Sequence, residues 1–337
     1  MFRGDVNRSG VYEPSGPVSL NSLKWRYQAG DGISSTAAVW EGSVYFGSWD
    51  GTLHSIDAAT GEKNWEYRTD GKISSSPAVS GGIAVFGSID GLIYALDTDT
   101  GQPLWKLRTG GEVVSSPLIS GDTVFVTGFD GYLRAIELET GEELWRVSTE
   151  AELFSSPAMY CGYIYFGGLD GILFAVNVAT AQVEWSYKAD GDIFSTPSAV
   201  DGKVYFGTDA GTMYGLDAAT GEEVWSRGIE GGVVGSPAVR AETLFVGTRE
   251  GRFYSLGTSD GDEIWSVDLE GEMISSPAVS GETVYTTCID GTLHALSTGS
   301  GELLWSYVTE GSISSSPVVH EGMVLFGGLD GSLFALI

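Results

Sequence analysis

The feature that most constrains this chain is a unit of 40 residues that returns from one end of the sequence to the other. A tryptophan marks each copy, with no insertion or deletion between copies, at Trp25, Trp65, Trp105, Trp145, Trp185, Trp225, Trp265 and Trp305. A glycine keeps the same spacing at positions 51, 91, 131, 171, 211, 251, 291 and 331, and a proline at 77, 117, 157, 197, 237, 277 and 317. The chain therefore contains eight copies of one structural unit.

Each copy predicts four short strands. Apolar residues occur in short alternating runs that are separated by clusters of Gly, Asp, Ser and Thr, a pattern typical of strands joined by tight turns. In one copy we predict strand A at Ile73 to Val79, strand B at Ala84 to Gly87, strand C at Leu92 to Leu96 and strand D at Pro103 to Arg108. No helical period competes with this pattern.

Two of the turns have a recognisable chemistry. Between strands B and C, the pair Asp90-Gly91 places a residue that tolerates positive φ next to one that favours it, which predicts a tight hairpin. Between strands C and D, the carboxylate of Asp97 is placed to accept backbone N–H groups of a turn that ends at Gly101. Trp105 follows four residues later, and a large ring at a fixed distance from a turn is suited to packing between neighbouring sheets.

A period of 40 with four strands per unit indicates a β-propeller, and eight copies predict an all-β fold of eight blades. The array stops at strand C of the last copy, Leu333 to Ile337, and its first strand, Leu23 to Tyr27, is a D strand without the A, B and C strands before it. We therefore expect the N-terminal strand to complete the eighth antiparallel blade and close the ring. Residues 1–19 are expected to form an extended lead-in, and residues 20–337 a single propeller domain.

The motif Ala-x-Asp-x-x-Thr-Gly-x-x-x-Trp is intact at Ala95 to Trp105 and nearly intact at Ser55 to Trp65 and at Gly215 to Trp225. It resembles the repeat of the pyrroloquinoline-quinone-like (PQQ-like) propeller family. That family includes quinoprotein alcohol dehydrogenases, the outer-membrane assembly lipoprotein of the Bam complex and sensor domains of bacterial kinases. The resemblance implies the fold, whereas the motif residues hold blades together in enzymes and non-enzymes alike.

Composition limits the classes of partner. The chain has 45 acidic and 17 basic residues, a formal net charge of −28, and only 6 of the basic residues are lysines. Such a surface is a poor partner for nucleic acid and for anionic membranes, whereas basic partners are permitted. Scarce lysine beside abundant Asp and Glu is also typical of adaptation to high salt, and we keep this interpretation beside that of an ordinary acidic exterior.

Location and redox environment stay open. No apolar run has the length of a membrane span and no signal peptide is visible, which leaves the periplasm, the cell surface and the cytoplasm as alternatives. We predict a monomer without membrane insertion. Cys161 and Cys288 lie three blades apart in the predicted ring, so we expect both thiols to be unpaired.

The sequence offers little that predicts catalysis. By resemblance, a quinoprotein enzyme would need a cofactor in the channel, Ca²⁺ or a lanthanide held by carboxylate and amide oxygens, an Asp base and often adjacent cysteines. Adjacent cysteines, haem-attachment motifs and inserted loops are all lacking from this sequence. We interpret the scattered His54, His294 and His320 as packing residues, and the recurrent Ser pairs, such as Ser115-Ser116, as small inner-strand residues. We therefore predict no enzymatic activity, no cofactor and no metal site.

The copies differ at two positions that predict a binding face. The residue before the Asp-Gly pair of the B-to-C turn, or its equivalent, is Trp49, Ile89, Phe129, Leu169, Asp209, Arg249, Ile289 or Leu329. An early residue of strand A is Ser34, Ser74, Val114, Phe154, Phe194, Val234, Ile274 or Ser314. Both positions lie toward the face that carries the D-to-A and B-to-C turns. Carboxylates gather at the D-to-A turns of that face, where propeller geometry places them around one mouth of the channel.

The apolar residues of the two positions coincide over blades 3 to 5. We place a candidate partner site there, consisting of Phe129, Phe154, Leu169 and Phe194 with Glu150 and Glu152 beside them; Trp49 lies farther round the same face. An apolar centre with an acidic edge suits an apolar peptide flanked by Lys or Arg. The sequence thus predicts a non-enzymatic scaffold that binds a protein or peptide. The alternatives are that these side chains only pack against the next blade, and that the channel serves a quinoprotein-type dehydrogenase or a small-ligand sensor.

Overall fold

The computed structural model describes residues 2–13, 16–20 and 22–337, so that Met1, Pro14 and Ser15 of the expected lead-in lie outside the described residues, as does Asn21. The regular structure of the described residues consists of β-strands. In chain order these are β1 (Leu23–Gln28), β2 (Ala38–Trp40), β3 (Ser43–Gly47), β4 (Thr52–Asp57), β5 (Lys63–Arg68), β6 (Ala78–Ser80), β7 (Ile83–Gly87), β8 (Leu92–Asp97), β9 (Pro103–Arg108), β10 (Leu118–Ser120), β11 (Thr123–Thr127), β12 (Tyr132–Glu137), β13 (Glu143–Ser148), β14 (Ala158–Tyr160), β15 (Tyr163–Gly167), β16 (Ile172–Asn177), β17 (Gln182–Lys188), β18 (Ser198–Val200), β19 (Lys203–Gly207), β20 (Thr212–Asp217), β21 (Glu223–Gly228), β22 (Ala238–Arg240), β23 (Thr243–Gly247), β24 (Arg252–Gly257), β25 (Glu263–Asp268), β26 (Ala278–Ser280), β27 (Thr283–Thr287), β28 (Thr292–Ser297), β29 (Leu303–Val308), β30 (Val318–His320), β31 (Met323–Gly327) and β32 (Ser332–Leu336).

The strands form eight four-stranded antiparallel sheets, which are the blades of a β-propeller. Blades 1 to 7 each take four consecutive strands, from β2–β5 in blade 1 to β26–β29 in blade 7, and the strands of a blade are lettered A to D from the channel outward. The eighth blade consists of β30, β31, β32 and β1. The N-terminal strand therefore completes the C-terminal blade, and the predicted eight-bladed fold is confirmed.

The recurrent tryptophans hold neighbouring blades together. The indole N–H of Trp25 on β1 donates to the carbonyl of Ala58 in blade 1 at 3.0 Å, and the same bond joins Trp65 to Thr98 at 2.7 Å. A Cβ added at Gly61 would lie only 2.8 Å from the ring of Trp25. The turn residue at this position is therefore glycine for two reasons, its positive φ of 75° and the closeness of the ring.

A belt of hydroxyl groups closes the ring on the channel side. In each blade a backbone N–H of the inner segment donates to the hydroxyl of the residue 40 positions on, in the next blade, at 2.8–3.3 Å. The bond from the Ser316 N–H to Thr36 Oγ1, at 3.3 Å, completes the circle. This hydroxyl belt consists of Thr36, Ser76, Ser116, Ser156, Thr196, Ser236, Ser276 and Ser316. Its members are buried, but they precede the A strands and do not lie within them as the sequence indicates.

Strand A is shorter than the sequence predicts. Regular pairing in blade 2 is confined to Ala78–Ser80, whereas strands B, C and D agree with the prediction to within one residue at each end. The preceding residues use their backbone groups elsewhere: the Ile73 N–H donates to the Ser48 carbonyl at 3.1 Å, and the Ser76 N–H donates to the hydroxyl belt. Pro77 has no N–H to donate. The inner segment is therefore tied to the neighbouring blades through these groups, and to its own blade through Ser75 Oγ, which accepts the Gly87 N–H at 3.1 Å.

The B-to-C connection also differs from the expected tight hairpin. Four residues, Ser88 to Gly91, separate β7 from β8. Of these four only Gly91 has a positive φ, of 78°, whereas the carboxylate of Asp90 accepts the Leu92 N–H at 3.0 Å. The aspartate therefore serves as an acceptor and not as a residue with positive φ. The prediction for the C-to-D turn is confirmed, because Asp97 Oδ1 accepts the Thr100 N–H at 2.8 Å.

Residues 2–12, which we call the plug, lie in the channel against the inner strands of blades 4 to 7. Four carbonyl groups of the plug each accept a backbone N–H group from one of these four blades, at 2.7–3.0 Å. The Val6 carbonyl accepts from Met159, that of Asn7 from Ala199, that of Ser9 from Val239 and that of Gly10 from Val279. These partners belong to A strands close to the A-to-B turns. The plug therefore occupies the mouth of the channel on the face that carries the A-to-B and C-to-D turns.

Two buried arginines fasten the plug. Arg8 is fully buried and donates to the carbonyls of Pro157 at 3.0 Å, Pro117 at 2.8 Å and Ser116 at 3.1 Å. Arg3, which is 1% exposed, donates to the hydroxyl of Ser198 at 3.1 Å. Burial lowers the pKa of Arg8 to about 9 and that of Arg3 to about 10, so both remain cations at neutral pH.

Pro17 of the lead-in replaces an acceptor from a turn that blade 8 lacks. The Trp185 indole and the Tyr165 hydroxyl of blade 4 both donate to the carbonyl of Ala218, in the C-to-D turn of the next blade. In blade 7, Trp305 and Tyr285 donate instead to the carbonyl of Pro17, at 3.2 and 3.0 Å. The C and D strands of blade 8 come from opposite ends of the array, so Pro17 stands where their connecting turn would be.

Candidate partner-binding face

A cavity of about 390 Å³ occupies the channel on the side of the D-to-A and B-to-C turns. The hydroxyl belt and Phe2 of the plug line its inner part. Its wall contains Ser34, Ser74, Val114, Phe154, Phe194, Val234, Ile274 and Ser314 from the inner segments, with Trp49, Ile289 and Leu329 from the B-to-C turns. Residues from both variable positions of the repeat therefore meet at one mouth of the channel.

Three residues of the predicted site form one aromatic cluster. The ring centroid of Phe154 lies 6.3 Å from that of Phe129 and 5.5 Å from that of Phe194, the second pair in an edge-to-face arrangement. Phe154 is 39% exposed, and Phe129 and Phe194 are half-buried. These three residues, which we call the phenylalanine cluster, therefore offer an accessible apolar surface at the rim of the channel.

The other residues predicted for blade 4 lie next to the cluster. The N–H of the half-buried Leu169 donates to the carbonyl of Glu152 at 3.0 Å, which ties its turn to the D-to-A turn before it. Glu150 and Glu152 are exposed on that D-to-A turn, and Glu150 has a positive φ of 62°. Neither carboxylate forms a salt bridge within the described part of the chain. Both charges are therefore available to an incoming group.

A buried ion cluster anchors the turn that carries Phe129. Arg134, with a side chain that is 4% exposed, donates to Asp130 Oδ1 at 3.0 Å and to Glu143 Oε2 at 3.1 Å. Asp130 also accepts the Gly110 N–H at 2.8 Å. Burial alone would raise the pKa of Asp130, but the hydrogen bonds from Arg134 and Gly110 lower it. Arg134 is not among the residues predicted from the sequence, although it is the one cation at a strand C position that is aromatic or histidine in all the other blades.

Trp49 lies at another part of the same mouth. Its indole N–H donates to Ser34 Oγ at 2.8 Å, and the Lys72 ammonium lies 4.7 Å from its ring centroid. The ring therefore lines the polar side of the cavity, where Ser34, Ser74 and Ser314 face the channel. Trp49 forms no ring contact with the phenylalanine cluster in the described part of the chain.

Acidic side chains surround this mouth. On the D-to-A turns, Asp192 is half-buried and the others are exposed, namely Asp31, Asp70, Glu112, Glu150, Glu152, Asp190, Glu230, Glu270, Glu272 and Glu310. Some are paired within the ring, such as Glu230 with Arg252 at 3.4 Å. The acidic excess that remains gives the rim a negative potential, which attracts basic groups.

Among the remaining candidates for chemistry, His54, His294 and Cys288 are buried, whereas Cys161 is exposed. His54 stacks on Phe46 with 4.9 Å between ring centroids, and burial lowers the pKa of His54 and of His294. Both cysteines are free, and burial raises the pKa of the Cys288 thiol to about 12. Among the described residues, no group of three His, Cys, Asp or Glu side chains is placed to hold a metal ion. In the same residues we find no helix with the length and apolar character needed to cross a membrane.

Several solved structures share this fold. BamB from Moraxella catarrhalis has a TM-score of 0.81 and 21% sequence identity, over 94% of this chain and 99% of that one. The computationally designed protein Ika8 has a TM-score of 0.83 and 20% identity, over 96% and 99% of the two chains. A europium-containing methanol dehydrogenase has a TM-score of 0.86 and 13% identity, over 100% and 97%. At these identities the similarity shows the fold alone, and it extends to a dehydrogenase as closely as to BamB.

A family model gives more specific information. No curated protein sequence matches this chain at a significant level. The family model described as outer membrane protein assembly factor BamB, however, matches residues 21–127, 50–214, 192–273 and 209–336, which together span the propeller. The chain therefore belongs to the BamB family of PQQ-like repeat β-propellers.

Proposed function

We propose that this propeller is a non-enzymatic scaffold that binds a protein or peptide through the face carrying the D-to-A and B-to-C turns. The observation that carries the proposal is the accessible phenylalanine cluster at a mouth of the channel that acidic side chains surround. Membership of the family supports it, because the family model describes an assembly factor. The same membership favours an exported protein over a cytoplasmic one.

The site favours a partner with an apolar segment next to basic residues. Phe129, Phe154 and Phe194 present partly exposed aromatic surface, and such rings are common anchors in the centre of interfaces. Glu150 and Glu152 lie beside them with unpaired carboxylates, which match Lys or Arg of the partner. The apolar anchor supplies most of the affinity in this arrangement, and the acidic rim supplies orientation and a salt-dependent association rate.

The test is a binding measurement with matched variants. Peptides that contain an apolar core flanked by Lys are screened by fluorescence anisotropy, and the best binder is titrated against Phe154→Ala, Phe129→Ala and Ile289→Ala. Ile289 lies at the same mouth but in blade 7, so it is the control. We expect each Phe→Ala change to weaken binding by about 1 to 3 kcal/mol and the control to have much less effect. Equal losses in all three variants would contradict the proposed site.

A dehydrogenase that uses the channel is the second candidate, because a methanol dehydrogenase has the same fold. The residues of the channel do not fit the metal that accompanies a quinone cofactor in such enzymes. The described residues that line the cavity are Phe, Trp, Val, Ile, Leu, Ser and Thr, and none of them offers the carboxylate or amide oxygens that Ca²⁺ and lanthanides require. This composition supports the scaffold over the enzyme.

A further inference from the structure

A second cleft lies between blades 1 and 2, on the face opposite to the proposed partner site. It has a volume of about 370 Å³ and is lined by Trp40, Glu41, Ser43, Tyr45, Asn64, Trp65, Thr98 and Asp99. Glu41 belongs to the A-to-B turn of blade 1, and Thr98 and Asp99 belong to the C-to-D turn of blade 2. The cleft is therefore separate from both the channel cavity and the phenylalanine cluster.

Four residues of this cleft depart from the repeat. The position of Trp40 is serine in blades 2, 3 and 7, and the position of Asn64 is Leu, Val or Ile in blades 2, 3, 5, 6 and 7. The position of Glu41 is glycine in blades 2, 3 and 7, and the position of Asp99 is alanine in blades 1, 4 and 5. No other pair of blades combines an aromatic residue, an amide and two carboxylates at these positions. Because the other blades fold without these side chains, the fold does not require them.

The cleft stays open because Trp40 does not bridge to the next blade. In blade 4 the aromatic residue at this position is Tyr160, whose hydroxyl accepts the Gly202 N–H of blade 5 at 3.1 Å. An indole has no acceptor for the corresponding N–H. The buried Trp40 N–H has no partner among the described residues, and the Trp40 side chain lines the cleft. The space that Tyr160 closes in blade 4 therefore remains free beside blade 2.

The groups in the cleft are mainly hydrogen-bond acceptors. The carboxylates of Glu41 and Asp99 are exposed and form no salt bridge in the part of the chain that the structure describes. Asn64 donates its amide N–H groups to Ser43 Oγ and Ser55 Oγ, at 3.1 and 3.3 Å, which leaves the amide oxygen to accept. The partly exposed rings of Trp40 and Trp65 form the apolar side. A ligand for this cleft must therefore bring donors, positive charge and a surface that packs on an indole.

A guanidinium group meets all three requirements. It carries five N–H donors in one plane, binds carboxylates in a bidentate manner and stacks on aromatic rings. An ammonium group matches the charge but has three donors and no flat surface, and a neutral sugar lacks the charge. We propose that this cleft binds a guanidinium group, with Glu41, Asn64 and Asp99 as acceptors and the indoles of Trp40 and Trp65 as the packing surface.

The test follows the indole N–H resonances of the ¹⁵N-labelled full chain by NMR at low salt. N-acetyl-arginine methylamide is the probe for an arginine of a polypeptide, free arginine is the probe for a small molecule, and N-acetyl-lysine methylamide is the control. The Trp40 resonance is assigned from its loss in Trp40→Ser, a change that the serines of blades 2, 3 and 7 show to be compatible with the fold. We expect a saturable shift of the Trp40 resonance with the arginine probes. The tighter of the two arginine probes identifies the source of the guanidinium.

Matched variants test the role of the carboxylate. Asp99→Ala should weaken the arginine probe about tenfold or more, because a hydrogen bond to a charged group contributes about 1.5–3 kcal/mol. Glu139→Ala removes a charge from the same turn position in blade 3 and should change the affinity less than about twofold. The proposal is overturned if no saturable shift occurs, if the lysine probe binds as tightly, or if the two variants lose equal affinity. Changes in the phenylalanine cluster should leave this binding unchanged, so the two proposals fail independently.

Discussion

Removal of the N-terminal strand should open the ring. We consider a chain without residues 1–28, which loses β1 and the plug, and a control without residues 1–12, which loses the plug alone. In the first variant β32 keeps its pairing with β31 but has no partner on its other side. The strand exposed in this way, Ser332–Leu336, reads Ser-Leu-Phe-Ala-Leu and carries no charge. An uncharged apolar edge pairs readily with other chains.

The expected loss of stability can be worked out from the contacts of β1. Five residues of β1 pair with β32, and at about 0.5–1.5 kcal/mol net for each hydrogen bond this ladder contributes a few kcal/mol. Trp25 is 8% exposed and bridges to blade 1, and removal of such a ring costs about 3–5 kcal/mol. The total, on the order of 8 kcal/mol, is comparable to the whole free energy of unfolding of a typical domain, about 5–15 kcal/mol.

Light scattering after size exclusion, together with thermal unfolding, measures both consequences. We expect the chain without residues 1–28 to aggregate or to unfold at a much lower temperature, and the chain without residues 1–12 to remain monomeric with a smaller loss. A monomeric 29–337 fragment that melts within a few degrees of the full chain would refute the role of β1 in closing the ring.

The buried arginines, the net charge and the channel each lead to a further prediction. Arg8→Met should lower the free energy of unfolding by about 3 kcal/mol, because the carbonyls of Ser116, Pro117 and Pro157 lose a charged donor; urea unfolding measures this. Arg134→Ala should lower the free energy of unfolding by about 3–5 kcal/mol, because it leaves Asp130 buried without its cation. Blades 2, 5 and 6 have tyrosine at this position, and Arg134→Tyr should lower it less if Asp130→Asn accompanies the change. The melting temperature should rise between about 0.01 and 1 M sodium chloride, over which the Debye length falls from about 30 to about 3 Å, and a flat curve would remove the high-salt interpretation. PQQ with Ca²⁺ should give no saturable heat in calorimetry and no alcohol-dependent dye reduction, and stoichiometric binding would favour the enzyme.

A pH dependence follows from the turn aspartates. Hydrogen bonds from Thr60 and Thr100 lower the pKa of Asp57 and of Asp97 in the folded chain. Their contribution to stability is therefore present above the unfolded pKa of about 3.9 and is lost as the pH falls through the lower folded pKa. Unfolding temperatures measured between pH 5 and pH 2 should decrease, and Thr100→Val should flatten the decrease. An unchanged slope in that variant would contradict this origin.

The repeat predicts the fold because every copy has the same pattern of strand and turn residues. Trp25 and its seven successors pack at one spacing, so the blades, their D strands and the closure by β1 could be predicted without coordinates. The short A strands could not, because their inner segments bond sideways to the next blade through side chains such as Ser116 Oγ. Strand patterns record alternation within a blade and contain no information about such bonds.

The candidate site was predictable in part. The contact of Phe154 with Phe129 and Phe194 follows from the register of the repeat, which brings the two variable positions to one face. The plug was not predictable, because it does not repeat and its arginines bond to backbone carbonyls; Ser116, for example, lies 108 residues after Arg8. The cleft beside Trp40 is detectable only when each copy is compared with the next, residue by residue.

The proposed function requires the phenylalanine cluster to contact the partner. The most direct measurement is site-specific photo-crosslinking, with p-benzoylphenylalanine placed at position 154 or at position 219, in cells of the organism that makes this chain. Position 219 is exposed in a C-to-D turn on the opposite face and is the control. We expect one dominant adduct from position 154, which is lost when Phe129→Ala and Phe194→Ala are combined with it, and none from position 219. Equal adducts from both positions, or an adduct from position 219 alone, would show that the partner does not bind at the phenylalanine cluster.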